Sequence, residues 1–198
     1  MGDLAHTFLY EAGGVSALGG IHVHTVANQP DGTLDLADVQ QAIRTDNIHF
    51  PRTRVITIEN THNRCGGAVL DVAQMAAIRE LAVRHALAVH LDGARVFNAA
   101  IALGVPVSAL AAQVDTIQFC LSKGLSAPVG SLIAGPAAFI AEARRARKIV
   151  GGGMRQAGVI AAAGIVALEQ MVERLAEDHA NARRLAEGLA QIPGIAIQ

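Results

Sequence analysis

The chain is 198 residues long, 52% hydrophobic and 17% charged, with Lys+Arg 16 against Asp+Glu 17. That is apolar enough to bury the core of one domain, or one and a fraction, and it excludes intrinsic disorder. A formal charge of −1, 3% aromatics and no Trp leave neither a basic field nor stacking surfaces for nucleic acid. Mean hydropathy is +0.36, yet the longest apolar stretches, such as 159–168, fall short of the ~20 residues a spanning helix needs. No membrane or nucleic-acid partner is expected. Met1-Gly2-Asp3-Leu4 has no basic region ahead of an apolar run, so no signal peptide is expected. Cys65 and Cys120 have no CxxC partner. They read as small apolar packers in a cytoplasmic protein.

In chain order, His22-Val23-His24 alternates as a strand does, and residues 34–44 read as a helix after an Asp31-Gly32 turn. Residues 53–58 read as a strand, and 71–84 as a helix with Asp71 as its N-cap. Short strands are expected at 87–91, 115–121 and 131–134. The basic run 144–148 reads as the solvated end of a helix. Residues 154–176 give a long Ala-rich helix opened by Gly151-Gly152-Gly153, and 177–191 continue it after a bend. Pro193-Gly194 breaks the run, and 195–197 look like a strand that stops as it begins. This β–α–β alternation predicts an α/β fold, a mainly parallel sheet with helices on its faces. In such sheets chemistry sits beyond the carboxyl ends of the strands.

That rule picks out Asp92 and Lys123. Asp92 follows a buried strand, where a carboxylate is costly unless paired. It reads either as a helix cap or salt-bridge partner of Arg95, or as an anion held for a cationic ligand. Lys123, between Ser122 and Gly124, reads as a turn lysine in water or as an amine held for a phosphate or a Schiff base. Asp92 and Lys123 together suit a cofactor with an aldehyde and a pyridine nitrogen. His6 is either an ordinary surface residue or a planar ring to stack on that cofactor. Arg155, after the glycine run, suits a phosphate at a helix N-terminus. His22, His24, His49, His62 and Cys65 have no carboxylate or thiolate at a supporting spacing, so no metal is expected.

Residues 6–14 (HTFLYEAGG), 46–50 (DNIHF), 59–63 (ENTHN), 91–95 (LDGAR), 121–130 (LSKGLSAPVG) and 151–156 (GGGMRQ) stand in one order and spacing across nearly the whole chain. Together they resemble the low-specificity L-threonine aldolases, enzymes of the aspartate-aminotransferase-like fold type I that use pyridoxal 5'-phosphate. The resemblance implies a three-layer α/β/α large domain over 1–176 and the start of a small C-terminal domain over 177–198. It implies that Lys123 forms the Schiff base, that Asp92 partners the pyridine nitrogen, and that His6 stacks on the ring. Ser122 and Arg155 would contact phosphate, Arg155 that of its own or of a neighbouring subunit. Arg95 would bind the amino-acid carboxylate, and His49 would lie near the substrate's β-hydroxyl. The base is then His49, His6 or a water held by them. A homo-oligomer, a dimer of dimers, is implied as well. Another pyridoxal-phosphate lyase of this fold is the alternative, as is an inactive fragment that only pairs with another subunit. By the same resemblance, a segment before His6 and a domain after Gln198 are expected to be missing, and the 198 residues alone are expected not to turn over threonine.

Overall fold

The β-branched runs form one sheet. In the computed structural model, which describes residues 1–197, four strands lie side by side in chain order. They are β1 (Val55–Glu59), β2 (Ala88–Asp92), β3 (Thr116–Cys120) and β4 (Ser131–Ala134). β1, β2 and β3 run parallel, and β4 returns antiparallel along β3. Helix α1 (Leu36–Ala42) precedes β1, and α2 (Val72–Arg84) connects β1 to β2. Helices α3 (Val96–Leu103) and α4 (Val107–Ala111) connect β2 to β3. Helices α5 (Ala137–Ile149), α6 (Gly158–Val166) and α7 (Leu175–Leu189) follow the sheet. The expected α/β class with a mainly parallel sheet is the one observed.

Strand alternation sorts the two faces. Ile56, Ile58, Val89, Leu91 and Ile117 point to one side and are buried there with Met75, Ile78 and Leu81 of α2, Val96 and Ala99 of α3, and Leu110 of α4. Each buried Leu, Ile or Val contributes about 1.5–3 kcal/mol. The opposite face carries Thr57 and Glu59, His90 and Asp92, and Gln118 and Cys120. α2 starts where the sequence says it should. The Asp71 carboxylate accepts the Gln74 N–H at 2.7 Å while Gln74 accepts the Asp71 N–H at 2.7 Å, a reciprocal cap.

Four expectations differ from the structure. The glycine run does not open a helix; it ends one. Gly151, at φ +88°, and Gly152 donate their N–H groups back to Lys148 and Arg147 at the end of α5, as a left-handed C-terminal cap does. Helix α6 begins only at Gly158. Between α6 and α7 a wider helical turn (Ala167–Met171) and residues 172–174 intervene, so the break falls before 176. Residues 195–197 pair with no strand; Ile195 instead closes a turn onto Ile192. Residues 22–24 form no strand, and His22 and His24 are exposed.

Asp115, entering β3, accepts hydrogen bonds from Arg79 of α2 and from the Val89 N–H at 2.7 Å. This pins α2 to the sheet, and the Arg79 hydrogen bond holds the Asp115 carboxyl below its ordinary range. A carboxyl with a lower pKa folded than unfolded stabilises above the unfolded value and loses that effect as pH falls through the folded one. Asp115→Asn should therefore lower stability at pH 7 by about 1 kcal/mol or less, since the pair is partly exposed. The gap from the parent in urea melts should close below about pH 4. An equal gap at pH 7 and pH 3 would refute the ion pair's role.

Candidate active site

Two neighbouring strands end in carboxylates. Glu59 of β1 and Asp92 of β2 are register partners, so their side chains leave the same face side by side. Both are buried, at 6% and 7% exposure. Glu59 has two strong donors: the His6 N–H at 2.7 Å on one oxygen and the Asn63 N–H at 2.9 Å on the other. Among the described residues Asp92 has only the Ala94 N–H at 3.2 Å and the Gln118 side-chain amide at 3.4 Å, both on one oxygen. Burial pushes the Asp92 carboxyl above the usual carboxylate range, and the charge of Glu59 adds to this. The Ala94 N–H and the charges of Lys123 and His6 pull it the other way.

The bland readings of Asp92 do not hold. Helix α3 starts at Val96 after Arg95, too far along for Asp92 to cap it. Arg95 donates to Asn63 Oδ1 at 3.3 Å rather than to Asp92. Among the described residues Asp92 makes no ion pair. A desolvated acid with an open oxygen is a place for a cation or a protonated ring nitrogen. Gly93 is required for the turn that leaves Asp92 there: a Cβ on it would meet the Gln118 carbonyl at 2.9 Å.

Lys123 lies in the loop 121–130, which joins β3 to β4. Backbone bonds from Leu121 to Gly130, Ala127 to Leu121 and Ser126 to Lys123 close it tightly. Lys123 and Ser122 are exposed. Gly124 serves close packing here, since a Cβ would meet Leu175 of α7 at 2.8 Å and Asn98 of α3 at 3.1 Å. The amine therefore sits on a loop backed by two helices, within electrostatic reach of Asp92.

His6 opens a single helical turn (His6–Leu9) whose first N–H is held by Glu59. Its Nε2 pairs with Glu11 at 2.7 Å, and its ring lies 4.9 Å from that of Tyr10. His6, Asp92, Lys123 and Arg95 thus gather at the carboxyl edge of the sheet. Among the described residues no hydrogen bond or ion pair links His49 or Arg155 to these four. His49 is exposed in the loop 46–52, and Arg155 is exposed between α5 and α6.

Glu59, Gln118 and Asn63 belong to this cluster and carried no assigned role in the sequence. The signal was available for Glu59: a carboxylate ending a strand beside the strand that ends in Asp92. His62 is buried at 1% exposure, with both ring nitrogens unpartnered among the described residues. It lines a cavity of about 160 Å³ together with Leu34, Ile58, Glu59, Met75 and Ile78, and not with Asp92 or Lys123.

The family model for beta-eliminating lyases matches residues 1–198. The chain is 50% identical over 199 residues to low-specificity L-threonine aldolase 1 of Arabidopsis thaliana, covering 100% of this chain and 56% of the relative. It is 46% identical to the low specificity L-threonine aldolase of Escherichia coli K12, covering 96% of this chain and 56% of that one. Among solved structures, the threonine aldolase of Leishmania major superposes with a TM-score of 0.80 at 24% identity, over 96% of this chain and 56% of that chain. The chain spans about half the length of the curated relatives it matches. With the carboxylate, amine and imidazole gathered at one sheet edge and a family match along all its residues, the chain belongs to the beta-eliminating lyases.

Proposed function

We propose that the chain carries the pyridoxal-phosphate-binding core of a low-specificity threonine aldolase, which cleaves L-threonine and L-allo-threonine reversibly to glycine and acetaldehyde. One observation carries this reading. The buried Asp92 carboxylate has an open oxygen at a strand end, and the free amine of Lys123 stands on the loop after the adjacent strand. The aldolase names of relatives at 46–50% identity favour this lyase over others of the family.

These residues fit the cofactor. Asp92 would hold the pyridine nitrogen, Lys123 the aldehyde carbon, His6 the ring face and Ser122 the phosphate, with Arg155 reaching the phosphate of a neighbouring subunit. When bound, the cofactor supplies a sink for the electron pair of the broken Cα–Cβ bond. Arg95, half-buried beside Asn63, binds the substrate carboxylate and so sets which bond at Cα faces the ring. The β-hydroxyl proton goes to an imidazole or to a water that it holds. His6 is already oriented by a carboxylate, as bases commonly are. His49, on the exposed loop 46–52, is the other candidate for this base. A homo-oligomer in the cytoplasm completes the proposal. It is supported by two free cysteines and by exposed Ile149, Val150, Met154 and Val159. No helix among the described residues is long and apolar enough to cross a membrane.

The direct test is to load the full-length protein with pyridoxal phosphate and assay threonine for acetaldehyde and glycine. Ammonia with a 2-oxo acid would indicate β-elimination instead. Lys123→Ala should abolish the borohydride-reducible visible absorbance, and a variant that keeps it unshifted would remove Lys123 from its role. Asp92→Asn should stay folded by circular dichroism but lose turnover by orders of magnitude, about 1.4 kcal/mol of barrier for each factor of ten. Activity within a few-fold of the parent would make Asp92 structural. Because Phe can stack but cannot accept a proton, His6→Phe and His49→Phe separate the two duties. The larger loss of kcat marks the base, and equal mild losses would place it on neither ring.

A further inference from the structure

We infer that Glu59 is a positioning residue for the reaction, holding His6 and the Arg95-bearing side of the site in register while its charge strengthens the Asp92 contact to the cofactor. This rests on the function proposed above, and nothing in the aldolase resemblance assigned Glu59 a role.

The geometry is that of a hub. One Glu59 oxygen takes the first N–H of the His6 turn and the other takes the Asn63 N–H. Asn63 in turn receives Arg95 through its side-chain oxygen. The strand beside Glu59 ends in Asp92, and the backbone binds the two ends together, the Asn60 N–H donating to the Asp92 carbonyl at 2.9 Å. The Glu59 carboxylate thereby fixes two of the groups that contact cofactor or substrate, His6 directly and Arg95 through Asn63, beside a strand end that the backbone ties to Asp92. Charge-assisted bonds to backbone N–H are among the stronger ones, and two of them at 2.7 and 2.9 Å leave Glu59 little freedom to move.

Its charge acts on the neighbouring strand end as well. A second negative charge beside Asp92 favours any cation held there, a protonated ring nitrogen included. The other charged and titratable groups facing this pair are His6 and Glu11 on the N-terminal segment, His90 on β2, Arg95 ahead of α3, Cys65 in the loop after β1, and Lys123 after β3. Lys123 and His6 are the basic groups whose charge acts on Asp92. Removing Glu59 leaves Asp92 as the one carboxylate at the two strand ends to offset the ring cation, with Glu11 engaged by His6.

The test uses the full-length protein loaded with pyridoxal phosphate. Glu59→Gln keeps the shape but turns an amide NH2 toward a backbone N–H and deletes the charge. The pH midpoint of the cofactor's visible absorbance should move down by about half a unit or more, and kcat/KM should fall about ten- to a hundredfold. Glu59→Asp keeps the charge but is one methylene too short to reach both N–H groups. It should leave the midpoint near the parent value while kcat/KM still falls, a split that mere loss of folding does not produce. A Glu59→Gln protein with parental midpoint, cofactor Kd and kcat/KM would overturn the proposal. Should Glu59→Gln not fold, parental kcat/KM and cofactor Kd in Glu59→Asp would overturn it equally. A parent that takes up no pyridoxal phosphate would instead sink the function proposed above.

Discussion

Two carboxylates are kept out of water at the ends of neighbouring parallel strands, and the rest of the site is arranged around that fact. Burying such a group costs several kcal/mol unless donors or cations meet it. Glu59 is met by backbone N–H groups from both flanking segments, which draws the His6 turn and the loop after β1 onto the sheet edge. Asp92 is met incompletely, by one N–H and one amide on a single oxygen. The satisfied acid organises the protein, and the unsatisfied one is available to a ligand.

The apolar layer makes this arrangement rigid. Ile58 and Leu91 sit one residue before Glu59 and Asp92 and point into the helix-covered core, so each acid is anchored by a buried neighbour that faces the other way. Strands held on one face by α2, α3 and α4 place their ends reproducibly, which a surface loop does not. Packing extends to the amine as well. Leu125 and Ala127 from the Lys123 loop are buried with Leu121, Ala167 and Leu175 in a second cluster. The Asn98 amide of α3 meets His179 of α7 at 3.1 Å, tying the helices behind that loop to each other. The helix that follows the sheet is therefore part of what steadies Lys123.

Much of this was legible from residue order. Alternating β-branched and Ala-rich stretches announce parallel strands with crossover helices, and the strand-end rule then isolates Asp92 and Lys123. Asp71, read as an N-cap, marks the start of α2 within the sequence itself. Where local reading went astray, the competing effect is identifiable. Three glycines suit either end of a helix, and only the backbone path shows that Gly151 and Gly152 close α5. An Ile-Ala-Ile run has strand propensity, but a strand exists only where another strand offers its hydrogen bonds.

Composition, periodicity and motif order by themselves determined the α/β class, the family resemblance and the residues with chemistry to offer, because these depend on side-chain type and near-neighbour spacing. Only the tertiary structure decided which of those residues meet. His6 and Glu59 lie 53 positions apart in the chain, and Asn63 and Arg95 lie 32 apart. Their contacts follow from the β1–β2 register and from the loops that leave it. Whether Asp92 caps a helix, pairs with Arg95 or stands open is settled by distances of a few ångströms, which chain spacing does not encode. Glu59 became visible as a hub only when two buried N–H groups were found pointing at it.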